Sequence, residues 1–304
     1  MFAAALNLYR ENNRQHLDIC ANLEIIIKYM VSFSEVDYDP LYKICLDFWQ
    51  MFTSKKVEMD IKLKAEKNIP GGLNLNNTSY DIQELFMKVF PSESFNTQVR
   101  TIIRKMPRPQ EVLIETDEHG IPKKITVENT DNTHMFTVAQ NVLSNLAKMN
   151  WESVSMIIYS LINQQNHSEN FSVELINSLS WAVGALNGTL NEEDEKKCLS
   201  LILRNLLTLN DIKVHQKDKI IVVSNILYIS GQFPRTLNAS WALLSVLIDK
   251  AGEFMEYEFP GLSEMSCNTF LRICQNCKDQ IVKNHTKAAV ADPIKKALDP
   301  AEIG

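Results

Sequence analysis

The sequence predicts an all-α fold, an α-solenoid of stacked antiparallel helix pairs of HEAT type carrying one inserted acidic β-hairpin. Three observations predict it. Apolar residues recur at helical spacing along most of the chain, and strand signals are nearly absent. Breaks at Pro40, Pro91, Pro107, Pro109, Gly188, Pro234, Pro260 and Gly261 divide the chain into rods of similar length joined by short turns. The length of 304 residues, 45% of them hydrophobic, exceeds one ordinary core and leaves two domains or a repeat array.

Helical spacing places rods at 1–11, 16–33, 38–53, 80–90, 95–106, 134–149, 150–165, 171–187, 192–210, 216–232, 235–257 and 262–284. Paired rods of this length fit a repeat unit of about 40–47 residues. At 191–195, Asn191 reads as a cap and Glu192 to Glu195 as acidic residues favoured by the helix macrodipole. Two stretches interrupt the array. Residues 54–79 are polar, lysine-rich and then Gly/Asn-rich, which predicts a flexible surface insertion. In 110–133, "EVLIET" and "KKITVE" flank "DEHG", a hairpin signal. This acidic hairpin reads either as a solvated loop or as a movable element that meets a basic partner. The chain then divides into repeats at 1–53, the insertion 54–79, a repeat over 80–149 interrupted by the hairpin, a repeat at 150–187, two repeats at 188–284, and a divergent tail at 285–304.

Composition narrows the function. A net charge of −6 argues against direct nucleic-acid binding or an anionic membrane surface, since both need a basic face. The opening "MFAAALNLYRENNR" lacks a basic n-region, and Arg10 and Glu11 break its apolar stretch, which argues against a secretory signal. Apolar runs such as 25–31 are too short for membrane insertion. Cys267, Phe270, Cys274, Cys277 and Ile281 follow the 3-4-3-4 spacing of a packed helix stripe, so their C-x-x-C reads as core and not as a metal or redox site. Cys198 with His215 or His167 has no orienting carboxylate pattern, so the chain is not read as an enzyme, and no cofactor or metal is expected.

Two rods carry more apolar surface than one face needs. In 235–257, Leu237, Trp241, Leu244, Ile248, Ala251 and Met255 form one stripe, and Leu243, Leu247 and Phe254 form a second about a quarter turn away. In 192–210, Cys198, Leu199, Ile202, Leu206 and Leu209 form the inward stripe, and Leu203 and Leu207 widen it. Wide stripes are normal in solenoids, where each helix packs on its mate and on adjacent repeats. The other reading is a groove between these two rods that accepts an incoming apolar helix.

Four segments select between these readings: "SEVDYDPLYKICLDFW" (34–49), "PQEVLIETDEHG" (109–120), "LSWAVGALNGTLNEEDEKK" (179–197) and "SNILYISGQFPR" (224–235). In order and spacing they resemble the exportins, nuclear-export receptors of the importin-β-like (karyopherin) family. The resemblance implies that 1–53 corresponds to the second helix of the seventh repeat and to the eighth. It also implies that 188–284 corresponds to the eleventh and twelfth, whose outer helices bind leucine-rich nuclear export signals of cargo proteins. The groove then takes Leu203, Leu207 and Asn210 from one wall and Leu243, Leu247, Lys250, Glu253 and Phe254 from the other. Val223, Ile226 and Leu227 form its floor, Met265 closes one end, and Lys219 and Lys250 hold peptide carbonyls or acidic flanks. The hairpin corresponds to the family's acidic loop, contacting Ran in its GTP form and regulating the groove through Glu111, Glu115, Asp117, Glu118, Glu128 and Asp131. Nuclear pore proteins are further implied partners, with shuttling between nucleus and cytoplasm. The alternative is a HEAT-repeat interaction scaffold that has lost export-signal binding. Four departures from the family stand out. Asn210 replaces the cysteine that covalent export inhibitors attack in many relatives. Val223 stands where the pattern favours alanine, "PSESF" (91–95) interrupts a helix, and Lys123 and Lys124 dilute the loop's acidity.

Overall fold

The computed structural model describes residues 16–67, 89–125, 129–165, 171–211 and 216–284. The rods read at 1–11 and, apart from 89–90, at 80–90 lie outside them, as does the tail 285–304. The described chain is α-helical except for one two-stranded antiparallel hairpin. It divides into two compact units, residues 1–108 with 129–171 and residues 109–128 with 172–304.

The first unit contains α1 (His16–Glu35), α2 (Asp39–Lys67), α3 (Ser92–Arg104), α4 (Thr130–Met149) and α5 (Trp151–Gln165). Pro91 precedes α3, and Asn129 caps α4 by accepting the Asn132 N–H, so each helix starts where its sequence allows. The core gathers on α2. Trp49 is fully buried against the rings of Phe48, Phe52 and Phe90, and its indole N–H donates to Ser34 Oγ on α1 at 2.9 Å. That bond satisfies the only polar group of a large apolar side chain.

Residues 54–67, read as part of a flexible insertion, continue α2 to Lys67. The lysines and acids fall at helical spacing: Glu58 pairs with Lys55 at 2.9 Å and with Lys62 at 2.8 Å, and Lys56 with Asp60. Lys62 and Lys55 hold the Glu58 carboxyl down to about 2. A lysine-rich composition concealed an i, i+3 and i, i+4 ladder that extends the helix.

The second unit contains the hairpin strands β1 (Ile114–Thr116) and β2 (Pro122–Lys124), then α6 (Val173–Ala185), α7 (Glu192–Asp211), α8 (Gln216–Gln232), α9 (Pro234–Asn238), α10 (Trp241–Met255) and α11 (Pro260–Asn276). The central rod is α8, buried continuously from Ile221 to Ser230 and packed on α6, α7 and α11. Its approach to α6 is close. A Cβ at Gly184 would lie 2.5 Å from the Tyr228 ring, and Asn225 Nδ2 donates to Asn177 Oδ1 at 2.7 Å in the buried seam. The rod expected at 235–257 is two helices, α9 and α10, joined through Ala239 and Ser240. Along α11 and the Cys277 that follows it, the expected cysteine stripe is incomplete: Cys277 is buried and Cys274 half-buried, but Cys267 is exposed.

Candidate functional site

The residues expected to line the groove come from α7, α8, α10 and α11 of one unit. α8 packs against each of the other three. On α7, Leu203 and Asn210 are buried and Leu207 is half-buried. On α8, Val223, Ile226 and Leu227 are buried and Lys219 is half-buried. On α10, Leu247 and Phe254 are buried, Leu243 and Lys250 half-buried, and Glu253 exposed with its carboxylate 2.8 Å from Lys250 Nζ. Met265 on α11 is buried.

The buried stripe of α10 is Leu244, Leu247, Ala251 and Phe254, while Trp241, Leu243, Ile248 and Met255 are half-buried. Burial therefore falls between the two stripes that periodicity separated. Leu203, Leu247 and Phe254 are 1%, 2% and 0% exposed, so their side chains are covered by the chain's own helices in this conformation.

The hairpin belongs with this unit. Ile114 pairs with Lys124, Glu115 with Lys123 and Thr116 with Pro122 across the strands. It rests on α8 and α11 through the buried Ile114, and a Cβ at Gly261 would come within 3.1 Å of the Ile114 side chain. Lys124 Nζ contacts Glu264 of α11 at 2.5 Å, and Gln232 of α8 donates to Glu111 at 3.4 Å. Under the hairpin lies a cavity of about 190 Å³ whose lining includes Leu227, Tyr228 and Met265. Burial pushes the Tyr228 phenol far above its ordinary range.

The six acidic residues expected on the hairpin are used differently. Glu115 pairs with Lys123 across the strands at 3.3 Å, and Glu118 is exposed. Asp117 accepts the Ile121 and His119 N–H groups, closing the turn that Gly120 completes at φ 68°. Asp131 lies in the first turn of α4 in the other unit, where it faces Lys43, and Glu128 lies outside the described residues. The Ile121 N–H, followed by that of His119, holds the Asp117 carboxyl below the ordinary aspartate value. A lowered folded value makes the ionised turn favourable above pH about 4, and that advantage fades as pH falls through the folded value. Asp117→Ala is expected to speed amide exchange at His119 and Ile121 at pH 7, an effect that shrinks as pH falls through the folded value, measured by NMR.

Sequence reasoning missed one polar cluster. Glu195, read as one of four helix-start acids favoured by the macrodipole, is fully buried. It accepts the Gly188 N–H at 3.2 Å, the Arg235 guanidinium at 3.1 Å and the Thr236 hydroxyl. It thereby joins the start of α7 to α9. Only its position among four consecutive acids hinted at a special role, and nothing in the spacing marked which of them turns inward. Burial, then Glu195 and Asp194, push the neighbouring Cys198 thiol up to about 12, so it stays protonated and serves as packing. His167 and His215 lie outside the described residues.

Packed helices with one hairpin among the described residues define an all-α helical-repeat protein. Residues 92–154 match the family description CRM1 / Exportin repeat 2, and residues 167–217 match CRM1 / Exportin repeat 3. The chain therefore carries exportin repeats and is related over most of its length to proteins named exportin-1. It is 30% identical over 276 residues to Exportin-1 of Dictyostelium discoideum, covering 88% of this chain and 25% of that protein. It is 28% identical over 267 residues to Protein EXPORTIN 1A of Arabidopsis thaliana, covering 84% of this chain and 24% of the relative. Against Exportin-1 of Drosophila melanogaster the identity is 29% over 265 residues, with 84% and 23% covered. The chain thus spans about a quarter of the length of these relatives.

Proposed function

We propose that this chain is the cargo-binding segment of a nuclear export receptor and acts as a transport receptor without catalytic activity. It would bind leucine-rich export signals between α7 and α10, with the floor on α8, and respond to Ran in its GTP form through the hairpin. Shuttling between nucleus and cytoplasm past nuclear pore proteins follows from the same reading. The observation that carries it is the convergence of the surplus apolar residues: Leu203 and Leu207 on α7 and Leu243, Leu247 and Phe254 on α10 belong to helices that both pack on α8.

The conformation described here is then the closed one, because Leu203, Leu247 and Phe254 are already covered. A peptide enters when α7 and α10 shift on α8 and its own hydrophobes replace the contacts that Leu203, Leu247 and Phe254 lose. Each buried peptide leucine contributes about 1.5–3 kcal/mol. Ordering the peptide and populating the open form offset much of this, so moderate affinity is expected. Lys219 and Lys250, both half-buried, supply donors for peptide carbonyls or acidic flanks at the edge.

The hairpin bears on the same equilibrium. It braces α8 and α11 through Ile114 and the Lys124–Glu264 pair, and the cavity beneath it reaches Leu227 and Met265 of the proposed floor. A clasp that favours one position of α8 favours one width of the slot. Lys124→Glu, which sets two carboxylates against each other, is expected to loosen the clasp and tighten peptide binding about two- to fivefold. That modest range is set by the solvent exposure of the pair. Fluorescence anisotropy with the full chain measures it.

The same assay tests the function. A labelled leucine-rich peptide is expected to bind saturably, and the same peptide with its leucines replaced by alanine is expected not to bind. Equal behaviour of the two peptides would favour the scaffold that has lost export-signal binding.

A further inference from the structure

We infer that Asn210 is a specificity-determining residue of the proposed slot: its amide oxygen accepts a backbone N–H from a stretch of the bound peptide that is not helical. This rests on the export-signal reading and adds a rule about which peptides fit.

Asn210 is 6% exposed, and its Oδ1 is buried without a hydrogen-bond partner. It is the last residue but one of α7. At about 100° per residue, Leu203, Leu207 and Asn210 fall within about 60° of one another on the helix surface. The unmet acceptor therefore shares the face with the two leucines that widen the apolar arc. A buried amide oxygen without a donor is costly, and natural structures keep such groups where a ligand or water completes them.

The chemistry of the donor follows. Inside a peptide helix every N–H beyond the first turn is already given to a carbonyl four residues back. An N–H free to meet Asn210 comes from the first turn of a helical segment or from an extended stretch flanking it. Asn210 therefore marks where the bound peptide is not an interior helix. At the position facing it, the slot rejects residues that lack an N–H, proline above all.

The test is a scan in which each backbone amide of a labelled leucine-rich peptide is N-methylated in turn, with binding read by fluorescence anisotropy on the full chain. One position is expected to weaken binding to the wild-type chain about five- to tenfold. The same position is expected to change binding by less than about twofold in Asn210→Ala and in Asn210→Leu, the second of which refills the volume with an apolar side chain. Saturable binding of the parent peptide by either variant, weaker by up to about tenfold because the same bond is lost, establishes that its slot is intact. A flat scan on the wild-type chain, or one position that is equally sensitive in all three proteins, overturns the role of Asn210 and leaves export-signal binding standing. Failure of the unmethylated peptide to bind the wild-type chain overturns both.

Discussion

Glu195→Ala is expected to destabilise the second unit by about 3 kcal/mol, read from the urea midpoint of the full chain. Glu195 is fully buried, and its carboxylate gathers the Gly188 N–H, the Thr236 hydroxyl and the Arg235 guanidinium. Truncation leaves the N–H and the hydroxyl without their acceptor, and Thr236 is itself only 6% exposed. Removing Arg235 is a different experiment. Its side chain is 55% exposed, but its removal leaves the fully buried Glu195 carboxylate without its cation, so Arg235→Ala is also expected to cost about 2–3 kcal/mol. Glu195→Gln keeps one acceptor without a buried charge and should cost less than either. The cluster matters for function because this carboxylate ties α7 to α9, the short helix leading into α10. Both proposed walls of the slot are referenced to it, so Glu195→Ala is also expected to weaken peptide binding although no peptide touches it.

Much of the fold was legible because helical periodicity and Pro/Gly punctuation act locally. The rods at 150–165, 192–210 and 216–232 were found as α5, α7 and α8 almost residue for residue. The exceptions have physical reasons. Charged residues at 54–67 extend α2 through ion pairs, which leave no apolar stripe to read. Ala239 and Ser240 break a stretch whose apolar spacing runs through the break unchanged. Within the candidate site, the helices carrying each residue were legible, but depth was not. Leu247 and Phe254 read as a second face and are among the most buried residues of α10. A one-dimensional period states which residues share a face; it does not state how many neighbours that face will meet. The inward turn of Glu195 and the Lys124–Glu264 pair, 140 residues apart in sequence, depend on tertiary placement and left no local trace.

A carboxylate placed at either rim of the slot is expected to have the largest effect on binding. Leu207 on α7 and Leu243 on α10 are both half-buried, so charge there is tolerated by the free chain far better than at Leu203, Leu247 or Phe254. In the complex the same carboxylate would face a peptide leucine. The loss of one apolar contact, together with desolvation of the charge, amounts to about 3 kcal/mol, or roughly 100-fold in affinity. Gly252 supplies the control: it is exposed, half a turn from Leu243 on the same helix, and a side chain there would meet no neighbour.

The most direct measurement is the affinity of a labelled leucine-rich peptide for the full chain and for Leu207→Asp, Leu243→Asp and Gly252→Asp, each shown by circular dichroism to be folded. Saturable binding that falls about 100-fold in the first two variants and stays within about twofold in the third is the predicted result. Binding left unchanged by both rim carboxylates would contradict a peptide slot between α7 and α10.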